Sequence, residues 1–204
     1  MDNDVISQGA EAIIYKRDGI AVKDRIKKMY RLDAIDRRLR KQRTRSEANL
    51  LREARNVGVH TPKTFSVSES VIEMELIDGD VVKDILNEET IEDIVVKIGR
   101  NIASLHEYDI IHGDLTTSNM ILKDSKMYFI DFGLGFHSNR QEDKAIDLYL
   151  LHHSIEATHW KILKKLWKIL IDTYRSNFSG ADKVIKTLIQ IEKRGRYKNK
   201  TGFS

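Results

Sequence analysis

The chain of 204 residues contains no cysteine and a single proline, Pro62. The first absence removes disulfides, thiol nucleophiles and cysteine metal centres together. The second excludes a proline-rich linker. No apolar run approaches the ~20 residues that a bilayer-spanning helix needs. The N-terminal stretch MDNDVISQGAEA lacks the basic and apolar regions of a secretion signal. The sequence therefore reads as that of a cytoplasmic protein with no membrane contact. The apolar fraction of 41% and charged fraction of 32% exclude a wholly disordered chain. This length suits one domain or two small lobes sharing a cleft. Such a chain buries roughly 70% of its unfolded surface and needs no covalent staples.

The charge is unevenly placed. The net charge is +4, but Lys23 to Arg55 carries 13 Lys/Arg against 5 Asp/Glu. Glu192 to Ser204 carries 5 basic residues against 1 acidic, which leaves the rest of the chain at −8. Two basic regions on an acidic body suggest a polyanion such as nucleic acid, or an acidic protein surface. A solvated helix face explains the first region equally well. The tail RGRYKNKTG has almost no apolar content and little reason to pack. A frayed terminus and a basic arm that orders on RNA or a partner are its two readings, and the arm is preferred.

There is no internal repeat and no low-complexity segment. Val5-Ile6, Ala12 to Tyr15 and Gly19 to Lys23 read as strands, with Gln8-Gly9-Ala10-Glu11 as the turn between the first two. Leu32 to Val57 has no Gly or Pro and reads as helix, in two pieces, stopped by Gly58. Thr64 to Val67 and Ser70 to Leu76 return to strand, and Asp78-Gly79-Asp80 marks a turn. Val81 to Leu86 reads as a short helix. Ile91, Ile94, Val95, Ile98, Ile102 and Leu105 then trace one helical face, with Thr90 as N-cap. Asn119 to Leu122 and Met127 to Asp131 form a hairpin around Asp124-Ser125-Lys126. Helix resumes near Glu142, and a stripe from Ile162 to Tyr174, Trp167 included, reads as core. The expected architecture is α+β: an N-terminal lobe of sheet and one long helix over 1–77, a mainly helical lobe over 78–191, and a basic tail over 192–204. The joint falls at Leu76 to Gly79.

The chemistry concentrates in IIHGDLTTSNMILKDSKMYFIDFG, residues 110–133. Asp114 lies in a polar loop, Asn119 opens the hairpin and Asp131 closes it. The two ends of a hairpin are close together, so Asn119 and Asp131 can converge. Their oxygens suit a hard cation such as Mg²⁺ carrying phosphate. Asp114 beside them could accept a proton from a hydroxyl or orient a water. His112 is expected to brace the loop rather than transfer protons. His152 and His153 are neighbours in sequence and point about 100° apart on a helix, which makes them a poor metal pair.

These motifs resemble the protein-kinase-like superfamily. HGDLTTSN matches the catalytic loop H-x-D-x-x-x-x-N, and DFG matches the metal-binding signature. The resemblance implies that Lys23 in AVK contacts the ATP α/β-phosphates, with Glu47 in RTRSEA as its ion-pair partner. It implies that Met74 is the gatekeeper and that Glu75 and Ile77 offer backbone groups to adenine. Gly9, Ala10 and Glu11 would form the turn over the phosphates. That turn has one glycine instead of three, and Glu11 brings a negative charge toward the phosphates.

The segment after DFG narrows the family. LGFHSNRQEDKAIDLYLL has no A-P-E end, and Thr116 stands where Ser/Thr kinases place lysine. A platform for peptide substrates is missing. The single-glycine GAEA turn, RTRSEANLL, HGDLTTSN, DFGLG, EDKAIDLYLL and RGRYKNKTG together resemble the small RIO-like atypical kinase of the KEOPS complex, the PRPK family. That resemblance spans residues 7 to 202. It implies a two-lobed minimal kinase-like fold without activation segment, and an ATP- and Mg²⁺-dependent kinase or ATPase supporting threonylcarbamoyl modification of tRNA adenosine. The implied partners are a TsaD-like synthase subunit, a small helical KEOPS subunit and tRNA, the last approached by tail residues Arg194, Arg196, Lys198 and Lys200. A conventional protein-serine/threonine kinase, a small-molecule phosphotransferase and a non-enzymatic scaffold remain as alternatives.

Overall fold

The computed structural model describes residues 4–200, with side chains through Arg194. Its first layer is a five-stranded antiparallel sheet in the order β1-β2-β3-β5-β4. The strands are β1 (Asp4–Gln8), β2 (Ala12–Arg17), β3 (Ile20–Arg25), then, after helix α1 (Asp33–Asn56), β4 (Thr64–Val67) and β5 (Val71–Glu75). Asp18 and Gly19 both have positive φ, which gives the β2–β3 turn the hand that matches strand twist. The sheet buries Ala21, Val22, Ile72 and Met74, and α1 buries Ala48, Leu50, Leu51 and Ala54.

The long helix is one piece of 24 residues rather than the expected two. No glycine or proline interrupts it, and the buried Asp36 carboxylate secures its start by accepting the Lys28 N–H and pairing with Arg40. It ends as expected at Gly58, whose φ of +89° is the left-handed conformation that closes a helix. The Val59 N–H then returns to the Ala54 carbonyl at 2.9 Å.

The chain crosses to the second layer through Leu76 to Gly79. A side chain at Gly79 would meet the Leu122 carbonyl at 2.6 Å, so the crossing packs directly on a strand. There follow β6 (Asp80–Val81), α2 (Val82–Ile85), α3 (Ile91–Glu107), β7 (Ile110–Ile111), β8 (Met120–Lys123), β9 (Lys126–Phe129), β10 (Phe136–His137), α4 (Gln141–His159), α5 (Leu163–Asn177) and α6 (Ala181–Lys200). Asp124 and Ser125 both have positive φ and form the two-residue turn of the β8–β9 hairpin.

All six residues of the α3 stripe are fully buried. Thr90 stands at the N-cap of α3 but does not cap it. Its hydroxyl donates to the Ile85 carbonyl and accepts the Asn87 N–H, because the preceding turn folds back within reach. The α5 stripe is buried at Leu166, Leu170 and Tyr174, while Trp167 is only partly covered. No described helix is long and apolar enough to cross a membrane. The expected boundary at 192 is not a break in structure: α6 runs through it to Lys200. Val184 and Leu188 fix its buried face, and Lys and Arg continue a helix readily. Gly195 disfavours it by about 1 kcal/mol and Asn199 by less.

Helices α3 and α5 pack tightly at Gly99. A Cβ there would lie 2.9 Å from the Thr173 Cβ and 3.2 Å from the Leu170 carbonyl oxygen. Gly99→Val is expected to lower stability by about 1–3 kcal/mol through overpacking. Thermal unfolding would show this as a drop of about 2–4 °C per kcal/mol; an unchanged midpoint contradicts the packing.

Candidate functional site

Strand β3 is flanked on both sides, by β2 and β5, so its inward residues are held rigidly. Lys23 projects from it and is 4% exposed. Its ammonium lies 2.7 Å from Glu47 Oε1 on α1 and 2.7 Å from Asp131 Oδ1 beyond β9. One cation thus ties together sheet, helix and the loop after the hairpin. Burial opposes the Lys23 charge, but the Glu47 and Asp131 carboxylates outweigh it and raise its pKa. Burial likewise opposes ionisation of Asp131, yet Lys23 and the Gly133 N–H hold its pKa below the ordinary value.

Asp131 has φ of +61°, a conformation that costs a non-glycine residue about 1–2 kcal/mol. The tight fit beside it leaves no alternative: a Cβ on Gly133 would lie 2.9 Å from Asp131 Oδ1, 3.2 Å from Arg25 Nη2 and 3.5 Å from Glu47 Oε2. Glycine at 133 therefore lets the backbone N–H reach Asp131 Oδ1 at 3.1 Å.

The hairpin joins Asn119 to Asp131 as the sequence suggests, with the Ile130 N–H on the Asn119 carbonyl at 3.0 Å. Asn119 Nδ2 donates to both the Asp114 carbonyl and Asp114 Oδ2, each at 2.9 Å. With Nδ2 so engaged, Oδ1 is the Asn119 side-chain atom that could ligate a cation. Asn119, Asp131 and Asp114 thus offer hard oxygen donors, a set that fits Mg²⁺.

His112 is fully buried, and burial pushes its pKa below the ordinary value. Nε2 donates to the Ile130 carbonyl at 3.1 Å, and Nδ1 accepts the Asp114 N–H at 3.3 Å. Its ring packs on Phe132 with centroids 4.5 Å apart. These bonds use both nitrogens in the neutral imidazole, which matches the bracing role expected of it.

The residue missed in the sequence is Asp147 on α4. Its carboxylate is fully buried and accepts the His112 N–H at 2.7 Å and the Gly113 N–H at 2.8 Å. It thereby suspends the loop that carries Asp114. An aspartate between Ala145 and Leu148 on an apolar helix face was the available signal. Arg25 was also missed: it gives Nη2 to Glu47 Oε2, and its buried Nε has no partner.

Two compartments meet at Lys23 and Asp131. One, of about 250 Å³, is lined by Gly9, Ala10, Glu11, Arg25, Arg43 and Asp114 among others. The other, of about 370 Å³, is largely apolar and is lined by Met74, Glu75, Ile77, Ala21, Val81 and Ile121. A phosphate chain suits the first and a planar base the second. Glu11 does not face the first compartment as a lone charge, because Arg43 pairs with it at 2.9 Å and Lys28 lies 3.6 Å away. The expectation for Glu75 narrows. Its N–H is taken by the Lys63 carbonyl at 2.8 Å, just ahead of β4, and so is not free to serve a base.

Of the tail residues, Arg194 is exposed, 4.0 Å from Glu142. The side chains of Arg196, Lys198 and Lys200 lie outside the described residues. The histidine pair needs a correction. Ligand atoms of His152, His153 and Glu156 come within 4.8 Å of one another on α4. The two rings bend toward each other, one against Trp167 and the other against Tyr149.

The shifts on Asp131 and Lys23 predict a pH window for their pair. Asp131, shifted down, adds stability above its ordinary value of 3.8 and loses it as pH falls through the lower folded value. Lys23, shifted up, adds stability below its ordinary value of 10.5 and loses it as pH rises through the higher folded value. The stability difference between the parent and Asp131→Asn should stay flat between those limits and shrink outside them. Urea unfolding across pH checks this; a difference that changes near pH 7 contradicts it.

The family model of the RIO domain matches residues 15–169. The chain is 40% identical to "KEOPS complex subunit Bud32" of Pyrococcus abyssi, covering 97% of both chains. It is 39% identical to the "Probable bifunctional tRNA threonylcarbamoyladenosine biosynthesis protein" of Methanobrevibacter smithii, covering 97% of this chain and 37% of that longer one. Among solved structures it resembles the Rio2 kinase of Chaetomium thermophilum in its ADP/Mg²⁺-phosphoaspartate complex. The TM-score is 0.62 at 15% identity, over 94% of this chain and 72% of that one, which establishes the kinase-like fold. With the family model matched over more than half its length, and a relative of this identity matched end to end, the chain belongs to the RIO domain family.

Proposed function

We propose that the chain is an ATP-dependent atypical serine kinase or ATPase that serves a KEOPS complex in threonylcarbamoyladenosine modification of tRNA. The observation that carries the reading is Lys23 bridging Glu47 and Asp131 beside the Asp114–Asn119 pair. Its relatives' names supply the KEOPS and tRNA setting. Residues 1–77 and 78–191 act as two lobes that hold the nucleotide between them.

In this reading Glu47 fixes Lys23, and Lys23 directs its ammonium at the α/β-phosphates. Met74, the Glu75 carbonyl and the Ile77 backbone receive adenine, and Gly9, Ala10 and Glu11 close over the phosphates. Asn119 Oδ1 and Asp131 would hold Mg²⁺, which neutralises phosphate charge when bound. Asp114, held by Asn119 at Oδ2, presents its other oxygen to the acceptor. It orients a water, or takes the proton from a serine hydroxyl during autophosphorylation. The acceptor oxygen bonds the γ-phosphorus as the bond to the bridging oxygen breaks, and ADP departs. The chain works in the cytoplasm with a TsaD-like synthase subunit and a small helical subunit. Arg194, Arg196, Lys198 and Lys200 approach the tRNA backbone, an interaction weakened by salt.

Asp114→Ala should lower ATP turnover, measured with partner subunits and tRNA, by about 100-fold or more. Asp131→Ala should do the same through loss of the metal. Turnover within twofold of the parent in both variants overturns the assignment.

A further inference from the structure

A third cavity, about 590 Å³, shares Glu75 with the adenine compartment but none of Lys23, Asp114, Asn119 or Asp131. The end of α1, the linker to β4, β4 itself and β9 line it. Three of its side chains are cations: Arg55, Lys63 and Lys126. Several cations of α1 are answered, Arg40 by Asp36, Arg37 and Lys41 by Glu69, Arg43 by Glu11, while Arg38, Arg45 and Arg52 on the same helix have no such partner among the described residues. Among the described residues no carboxylate lies within ion-pair distance of Arg55, Lys63 or Lys126. Arg55 only donates to the Thr61 carbonyl, at 3.3 Å. The one carboxylate in the lining, Glu75, is engaged by the Lys63 backbone N–H at 3.2 Å.

Aromatic rings stand among these cations. Phe65, on edge strand β4, is 54% exposed. Tyr128 is half-buried and braced edge-on by the His60 ring, with centroids 5.5 Å apart. An exposed phenyl ring beside unpaired cations is poorly explained by packing. It suits a ligand that carries both a flat ring and phosphate.

We propose that this cavity binds single-stranded RNA, with a base stacked on Phe65 or Tyr128 and the flanking phosphates on Lys63, Lys126 and Arg55. Base stacking on aromatics combined with backbone neutralisation is how unpaired nucleotides are held. The cavity is of nucleotide size and concave, so an intact duplex, whose bases are stacked inward, cannot use it. The choice of RNA over another polyanion rests on the tRNA reading above. The site itself is separate from the catalytic residues.

The test uses the full chain and a fluorescent ten-nucleotide oligouridylate, with anisotropy as readout. Competitors are a hairpin RNA of equal length, AMP and inorganic phosphate. Lys63→Ser with Lys126→Ser should weaken RNA binding about tenfold or more and reduce the slope of log affinity against log salt by about 1.4. Phe65→Ala should weaken it about fivefold or more. Basal ATP turnover should be unchanged in both variants, which shows that each is folded. A 4-thiouridine RNA should crosslink to the peptide bearing Phe65 or Tyr128. The proposal is overturned if affinity and slope stay at parent values in both variants. It is equally overturned if Phe65→Ala has no effect while phosphate competes as well as RNA, an anion patch only, or if the hairpin competes as well as the single strand. Failure here leaves the loss of turnover in Asp114→Ala untouched, so the two readings fail separately.

Discussion

The structure depends on a buried ion network with Lys23 at its centre. Two cations, Lys23 and Arg25, face two carboxylates, Glu47 and Asp131. Three of the four side chains are almost wholly buried, and Asp131 opens toward the cleft. Buried charges cost several kcal/mol each in desolvation, and removing one partner of such a pair typically costs about 3–5 kcal/mol. A hydrophobic cluster of the same volume would stabilise the fold at least as well. The network is therefore better understood as fixing positions: it sets β3, α1 and the loop after β9 relative to one another, in the one place where phosphates and metal would meet.

A second anchor serves the other half of the site. Asp147 reaches from α4 to the backbone of His112 and Gly113, and His112 in turn binds the backbone of Ile130 and Asp114. The loop bearing Asp114 and the segment bearing Asp131 thus hang from the same buried carboxylate. The left-handed backbone at Asp131 and Gly113 is tolerated because these bonds over-determine it. At Gly113 a Cβ would lie 2.3 Å from the Leu134 carbonyl oxygen, so the loop and the segment after DFG are in direct backbone contact.

Much of this was legible in sequence because the signals are local. The α3 stripe follows helical period, the hairpin bears turn residues at Asp124-Ser125, and HGDLTTSN and DFG stand at fixed spacing. What was not legible depends on contacts distant in sequence. Asp147 looks like any helical aspartate until the fold brings it 35 positions back to His112. Arg25 looks like another member of a basic stretch until β3 turns it inward. The expectation that Glu75 offers backbone groups to adenine narrows because the Lys63 carbonyl, which takes its N–H, is brought alongside only by the folded sheet. The continuation of α6 was obscured for the opposite reason. The basic composition of the tail argued against packing, but a helix already nucleated on Val184 and Leu188 extends without it.

The central claim is that Asp131 serves two cations, Lys23 through the fold and Mg²⁺ with nucleotide. Calorimetric titration of ATP into the parent chain and into Asp131→Asn, each with and without Mg²⁺, tests it most directly. The account predicts that Mg²⁺ strengthens ATP binding to the parent by about tenfold or more, as one charge-assisted contact would, and has little effect on the variant. An equal Mg²⁺ enhancement in both chains would contradict it.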